Sequence, residues 1–395
     1  MKNITVHTKL KNYQISIQPD ITNNLPSIIK DNFKNIDKIA LITNDKVHKL
    51  YGERLKKLLN DCNLPFETIV IQDGEKYKNL MSAQIIYEKL ISSNFHRNDL
   101  IIAFGGGVIG DLAGFVASTF HRGLKFIQYP TTIIGQVDSS IGGKVVVNFD
   151  SIKNVIGSFY QPDRVLVDPV LLYTLDKYQI INGLAEIVKY GIVFDKNILN
   201  ILDKNIGKEN GLDKIDFFVK YNDSEQESSL EKMRSNDPIN LVRSSIFPDL
   251  IYKCCQIKAN VVKKDEFDTG YRNLLNFGHT VGHAIEKVTN LEKINHGMAV
   301  SMGMIIAIDI SINLGLAREN IRDKIIKLYE KLNLPYTIPE LNVEELISAL
   351  QFDKKFTGKG NKFVLIRGIN KPEIYYNVDE KVIVESIKKN MAGQF

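Results

Sequence analysis

From Lys38 onward, short apolar runs alternate with segments of helical periodicity: KIALIT, an amphipathic stretch through Leu58, ETIVIQ, a second such stretch near 85–90, then DLIIAF. Nothing else in the chain narrows the fold as far. A strand that returns through a crossover helix lies parallel to its predecessor, so this rhythm predicts a parallel sheet with helices on both faces. Ligands of such sheets sit beyond the carboxyl ends of the strands. Polar residues and glycines gather at those ends here: TNDK after KIALI, DGEKYK after ETIVIQ, and GGGVIGD after DLIIAF.

After Asp168 the pattern changes to long amphipathic segments, with few strand signals before KFVLI (Lys362–Ile366). At 395 residues the chain is longer than one core usually grows. The expected fold is therefore α/β, with a Rossmann-like parallel-sheet domain over 1–172 and a mainly α-helical domain over 173–395. The polar stretch at about 203–248 reads as a surface excursion and carries no chemistry in this reading. No internal repeat is present.

A hydrophobic content of 44% with 25% charged residues belongs to the globular class, and no run has the apolar length of a membrane span. The polar start MKNITVHTKL lacks the apolar core of a secretion signal, so a cytoplasmic location is expected. Cys62, Cys254 and Cys255 form no spaced disulfide framework. A net charge of +5, with lysines spread along the chain, argues against a nucleic-acid partner and leaves a small anion open.

In IIAFGGGVIGDLAGFVAS, Gly105, Gly107 and Gly110 have the GxGxxG spacing between a strand and a helix. Glycines there let the backbone approach a pyrophosphate, while the helix N-terminus offers unpaired N–H groups. The same glycines would also serve a plain tight turn, and Lys125 stands where an acidic ribose ligand would be sought. QYPTTIIGQVDSSIGGKVVVNF gathers Thr131, Thr132, Asp138, Ser139, Ser140 and Lys144 around glycines, with Lys153 and Asn154 close behind. Taken alone it is a turn-rich connection; its two lysines suit an anionic ligand.

GLAEIVKYG sets Glu186 and Lys189 on neighbouring helical turns among apolar residues. Such a pair is usually solvated, but in this company it is not expected to be fully exposed, and since buried charges need partners or a metal, Glu186 is a candidate hard ligand. In LLNFGHTVGHAIE, His279 and His283 project from one helical face, and NHGMAVSMGM adds His296 at the start of an apolar helix. Catalytic zinc takes three protein ligands and keeps a fourth position open. Periodicity does not decide which three of Glu186, His279, His283 and His296 would serve.

These segments, in this order, resemble the 3-dehydroquinate synthase family of sugar-phosphate cyclases: DGEKYKNL, AFGGGVIGDLAGFVAS, HRGLKFIQYPTT, QVDSSIGGKVVVN, KNVIGSFYQP, GLAEIVKYG, RNLLNFGHTVGHAIE and HGMAVSMGM. The resemblance covers most of the chain. It implies an NAD-binding α/β domain, a helical metal domain, and Glu186, His279 and His296 as ligands of zinc, with cobalt a possible substitute. His283 would then face the substrate. Asp73, Glu75, Lys78, Gly107, Val108, Gly110, Asp111, Thr131, Thr132, Lys144, Lys153 and Thr174 would hold NAD. Asp138, Lys144, Lys189 and His283 would serve the chemistry, and Arg122, Asn154, Lys258, Arg272, Asn276 and Lys355 would bind substrate, Lys355 being preferred over Lys354 in FDKKF. Arg122 resembles the family's arginine that reaches a neighbouring subunit, which implies a homodimer.

The implied reaction converts 3-deoxy-D-arabino-heptulosonate 7-phosphate into 3-dehydroquinate and phosphate through transient oxidation by NAD, β-elimination, reduction and an intramolecular aldol. A substrate with a carboxylate and a phosphate suits the arginine and lysines named above. The rivals are a cyclase of the 2-deoxy-scyllo-inosose synthase type and a metal-dependent polyol dehydrogenase. One departure is local: TLDKYQ, with Asp176, Tyr178 and Gln179, replaces the TLP that family members often carry before the glutamate's helix.

Overall fold

The computed structural model describes residues 1–150, 152–205, 246–289, 294–339, 341–357 and 360–391, the side chains of 351–357 excepted. The excursion at 203–248 therefore lies almost wholly outside the described residues. The chain forms two compact units: Met1–Leu175 with Leu230–Phe267, and Asp176–Ser229 with Asp268–Phe395.

In the first unit, strands β1 (Lys2–Val6), β2 (Tyr13–Ile17), β3 (Ile39–Asn44), β4 (Phe66–Ile71), β5 (Leu100–Gly105), β6 (Lys125–Pro130) and β9 (Arg164–Val167) form one sheet in the order β1-β2-β9-β6-β5-β3-β4. Only β1 is antiparallel to its neighbour. Strands β3 and β5 are buried along their whole length, as a sheet covered on both faces requires. Side-chain alternation divides them between two cores. Ala40, Ile42, Ile101 and Ala103 face α3 (Leu80–Ser92) and α4 (Gly107–Thr119), while Ile39, Leu41, Leu100, Ile102 and Phe104 face α1 (Leu25–Asn32) and α2 (Asp45–Asn60).

Two antiparallel strand pairs of this unit lie outside the expected rhythm. KNITV and YQISI pair as β1 and β2 ahead of Lys38. KVVVNF, read as part of a loop, is β7 (Lys144–Phe149), paired antiparallel with β8 (Ile152–Phe159). Its Val145 and Val147 are buried against α4, so the three valines outweigh the flanking glycines and serines. The helix α7 (Phe247–Lys264), placed by sequence in the 173–395 segment, groups with this first unit.

The second unit is built on α5 (Lys177–Val193), α6 (Lys196–Asn205), α8 (His279–Thr289), α9 (His296–Asn313), α10 (Glu319–Leu332), α11 (Val343–Thr357) and α12 (Glu380–Lys389), with a hairpin of β10 (Lys362–Ile366) and β11 (Pro372–Tyr376). Helix α9 contacts α5, α8, α10, α12 and β10. It is apolar on every side and, contrary to the expectation that no run has the apolar length of a membrane span, its length and composition would suffice for one; 78% of that stretch is packed inside the fold, as in a core helix. Its one acid, Asp309, is fully buried and paired with Arg322, Lys389 and Asn390, which ties α10 and the end of α12 to the central helix.

Candidate active site

Glycines let α5, α8 and α9 approach closely. Gly278, just before α8, has φ +79, and a Cβ there would stand 2.5 Å from Met304 Cγ and 2.9 Å from Val300 O. A Cβ on Gly303 would fall 2.1 Å from Gly278 O, and one on Gly297 would fall 2.2 Å from Asn182 O. No side chain fits at these crossings. The Gly297 amide also donates to the Asn182 side chain, and Asn295 caps α9 by accepting from Met298 N at 3.0 Å. The first residues of α8 and α9 are thereby held against the middle of α5.

That convergence joins Glu186, His279 and His296. Nε2 of His279 and Nε2 of His296 each lie 3.6 Å from the same oxygen, Glu186 Oε1. Both separations exceed a hydrogen bond. Glu186 is 1% exposed, and its Oε1 accepts no hydrogen bond; its Oε2 forms an ion pair with the equally buried Lys189. A buried carboxylate oxygen without a donor is costly, and a cation among the three ligand atoms, all within 4.8 Å of one another, would remove that cost. Each ring is anchored through its other nitrogen: His279 Nδ1 lies 3.2 Å from Phe277 O, and His296 Nδ1 lies 3.3 Å from Glu286 Oε2. In a neutral ring, a donor at Nδ1 leaves Nε2 with a free lone pair.

Electrostatics follow the packing. Burial alone would push the Glu186 carboxyl up, but Lys189 and the two histidines hold it well below the ordinary range. Burial and the Lys189 charge keep the His279 imidazole well below its usual value, hence neutral, as a ligand must be. Desolvation opposes the charged form of His296, yet the carboxylates of Glu186 and Glu286 outweigh it and raise this group to about 9, so without metal its Nε2 carries a proton near neutrality that a bound cation would displace. His283 stands apart, with its side chain 53% exposed and Nε2 4.0 Å from Glu286 Oε2. It lines a cleft of about 280 Å³ together with Asn273, Asn276, His279, Asn361 and Lys362. Arg272, on the turn Tyr271–Asn276 beside this cleft, is buried.

In the first unit, strand order reverses between β3 and β5: the chain leaves β3 toward β4 on one side and leaves β5 toward β6 on the other. The crevice at such a reversal is where doubly wound sheets bind ligands. Gly105 closes β5 and Gly106 caps α4 with no side-chain hydrogen bond, so the first amides of that helix are uncapped. A Cβ on Gly106 would lie 3.1 Å from Thr132 Cγ2, and one on Gly110 would lie 2.7 Å from Gln128 Oε1, which seats α4 tightly on β6. Open amides in a cradle without side chains fit a pyrophosphate.

Around this crevice Lys78, 5% exposed, donates to Asp111 Oδ2 at 2.5 Å and to Asn154 Oδ1 at 2.6 Å. Glu75 accepts from Asn148 Nδ2 at 2.9 Å, and Asp73 from Asn44 Nδ2 at 2.6 Å. Burial raises the Asp111 carboxyl despite Lys78 and Lys144. Thr131 follows β6, donating its amide to Gly105 O at 3.0 Å, and Thr132 accepts from Gly135 N at 3.1 Å. Asp138, in a single π-turn at Gly135–Ser139, pairs with the buried Lys258 of α7.

Models of the 3-dehydroquinate synthase N-terminal and C-terminal domains match residues 68–182 and 183–356. The 3-dehydroquinate synthase of Clostridium kluyveri is 38% identical over 366 residues, 93% of each chain. The chain belongs to the 3-dehydroquinate synthase family. Its fold is that of solved sugar-phosphate cyclases. A 2-epi-5-epi-valiolone synthase from Streptomyces hygroscopicus with NAD+ and Zn2+ bound superposes with a TM-score of 0.79 at 24% identity, over 97% of this chain and 98% of that one. A 2-deoxy-scyllo-inosose synthase with carbaglucose-6-phosphate, NAD+ and Co2+ gives 0.80 at 24% identity, over 99% and 100%.

Not every residue named for this family in the sequence joins one of these clusters. Arg122 is exposed on the turn after α4, with φ 65. Lys153 is exposed on β8, and Thr174 is hydrogen-bonded to the Tyr51 hydroxyl at 2.7 Å. The side chains of Lys354 and Lys355 lie outside the described residues. Lys125 pairs with Leu100 at the amino end of β6, away from the crevice, so it does not occupy an acid's place. Asp45 and Asp73 stand at the carboxyl ends of β3 and β4 instead. Sequence reasoning passed over Asn44, Asn148, Asn182 and Glu286. Asn44 had a signal, an N-cap residue directly after an apolar run; Glu286 had one in its spacing of three from His283.

Proposed function

We propose that this chain is a 3-dehydroquinate synthase, converting 3-deoxy-D-arabino-heptulosonate 7-phosphate into 3-dehydroquinate and phosphate with NAD and a divalent ion, Zn2+ or Co2+. The observation that carries the reading is the buried, donorless Glu186 Oε1 facing two imidazole Nε2 atoms in a chain matched along most of its length by this family.

Glu186, His279 and His296 would hold the ion, and the crevice residues Asp73, Glu75, Lys78, Gly107, Val108, Gly110, Asp111, Thr131 and Thr132, with Lys144, Lys153 and Thr174, would hold NAD. A bound divalent ion would supply a Lewis acid, and bound NAD a hydride acceptor that is regenerated within each turnover. The protein's own groups bind, orient and move protons. Lys189 compensates the Glu186 charge and keeps that carboxylate ionised at neutral pH. His283 opens onto the cleft, where its ring can exchange a proton with substrate. Asp138 and Lys258 hold each other in a fixed geometry for a substrate hydroxyl. Arg272, Asn276, Asn154 and Lys355 would fix the carboxylate and phosphate ends, with arginine offering a bidentate fork. Arg122 would complete the site of a partner in a homodimer, and the enzyme would work in the cytoplasm.

The test is incubation of purified protein with the heptulosonate phosphate, NAD and zinc, followed by phosphate release and identification of the carbocycle. Phosphate release without lasting NADH accumulation is expected. Turnover of glucose 6-phosphate in its place, or stoichiometric NADH, would replace this reading with one of its rivals.

A further inference from the structure

Glu286 belongs to none of the groups assigned above, yet it is 8% exposed and reaches into the cluster. Its Oε2 lies 3.3 Å from His296 Nδ1 and 4.0 Å from His283 Nε2. The His296 ring is thus spanned by two carboxylates, Glu286 at Nδ1 and Glu186 at Nε2. The two histidines beside Glu186 are anchored differently. His279 Nδ1 faces a backbone carbonyl, Phe277 O, whose position follows from the turn before α8. The ring of His296, at the start of α9 and 34% exposed, has among the described residues only a side chain for the same purpose.

We propose that Glu286 is the positioning residue of the metal centre: it accepts the Nδ1–H of His296, fixes the tautomer that presents Nε2, and holds the ring toward Glu186. A carboxylate at the far nitrogen of a ligating imidazole sets its orientation and raises its basicity, and its loss usually weakens metal binding by about 10- to 100-fold. Three residues after His283, the same carboxylate oxygen also lies 4.0 Å from His283 Nε2, so Glu286 stands between the two rings. The proposal rests on the reading that Glu186, His279 and His296 hold the ion.

The experiment measures zinc affinity of the chelator-stripped, full-length protein by competition with a chromophoric chelator, together with the melting temperature of each metal-free variant. Glu286→Ala is expected to weaken zinc by about 10- to 100-fold. Glu286→Gln, whose amide oxygen still accepts the Nδ1–H, is expected to lose less, and His283→Ala to bind as the wild type. In cobalt-loaded protein, Glu286→Ala is expected to shift the visible absorption bands. His279→Ala separates the two levels of inference. Wild-type zinc affinity in His279→Ala would remove the metal reading itself. Loss of zinc in His279→Ala with wild-type affinity in Glu286→Ala would remove the role of Glu286 alone, as would a lower metal-free melting temperature in Glu286→Ala with unchanged affinity.

Discussion

His279 and His283 stand one turn apart on the same helix, their rings 5.4 Å apart and perpendicular, yet they meet different surroundings. His279 Nε2 points at the buried Glu186, whereas His283 opens onto the cleft beside Glu286. Replacing His279 by Ala is therefore expected to abolish stoichiometric zinc, and replacing His283 by Ala to leave zinc in place while lowering turnover by roughly 100-fold or more, the scale of a lost acid–base group. Metal analysis after gel filtration, paired with phosphate release, checks both. Equal zinc loss in the two variants would contradict the division of roles.

The sequence carried the identities of these groups but not their arrangement. Helical spacing puts His279 and His283 on one face, and nothing local tells them apart. The distinction comes from non-local packing: Gly297 against Asn182, and Gly303 against Gly278, which bring α9 and α5 to one of the two rings. The parallel sheet was legible because KIALIT and DLIIAF are buried on both faces and read as unbroken apolar runs. The hairpin of β7 and β8 was not, since KVVVNF lies among turn formers and is made a strand by tertiary contact with α4. Lys125 misled for a related reason: the rule that seeks an acid after the glycine loop assumes that the loop follows the first strand of the sheet. Here it follows β5, and the acids lie after β3 and β4.

Lys189 and Glu186 are each 1% exposed, so removing the lysine leaves a buried anion. Breaking one partner of such a pair costs on the order of 3–5 kcal/mol. Lys189→Met is expected to melt well below the wild type without metal. Saturating zinc, by placing a cation beside the same carboxylate, is expected to raise its melting temperature more than it raises that of the wild type. Calorimetry with and without zinc reads this directly. Equal zinc-induced shifts would mean that the ion does not compensate Glu186.

Gly106 caps α4 in an extended conformation, with a hypothetical Cβ 3.1 Å from Thr132 Cγ2. Valine there would crowd Thr132 and cover the uncapped amides. Gly106→Val is expected to weaken NAD by at least about tenfold, equivalent to about 1.4 kcal/mol. Zinc content is expected to remain at the wild-type level. Titration calorimetry with NAD and metal analysis of the same preparation test the two halves separately. Unchanged NAD affinity would place the cofactor elsewhere.

Alkaline stability offers a test of the first unit's core. Tyr51 is buried, packed edge-on against Phe104, and hydrogen-bonded to Thr174. Burial raises its phenol to about 12, with the Thr174 hydrogen bond opposing and the Asp168 charge assisting. Above about pH 10 the unfolded chain ionises this group while the folded protein does not, so the folded state binds more protons and stability falls as pH rises toward about 12. One pH unit into that window, the contribution is about 1.4 kcal/mol. Tyr51→Phe has no such group to ionise. It is expected to be somewhat less stable near neutrality, through loss of the hydrogen bond, but to lose about 1.4 kcal/mol less than the wild type between about pH 8 and about pH 11. Urea unfolding at the two pH values gives the comparison. Parallel losses in both proteins would show that the Tyr51 phenol ionises in the folded state as readily as in the unfolded chain.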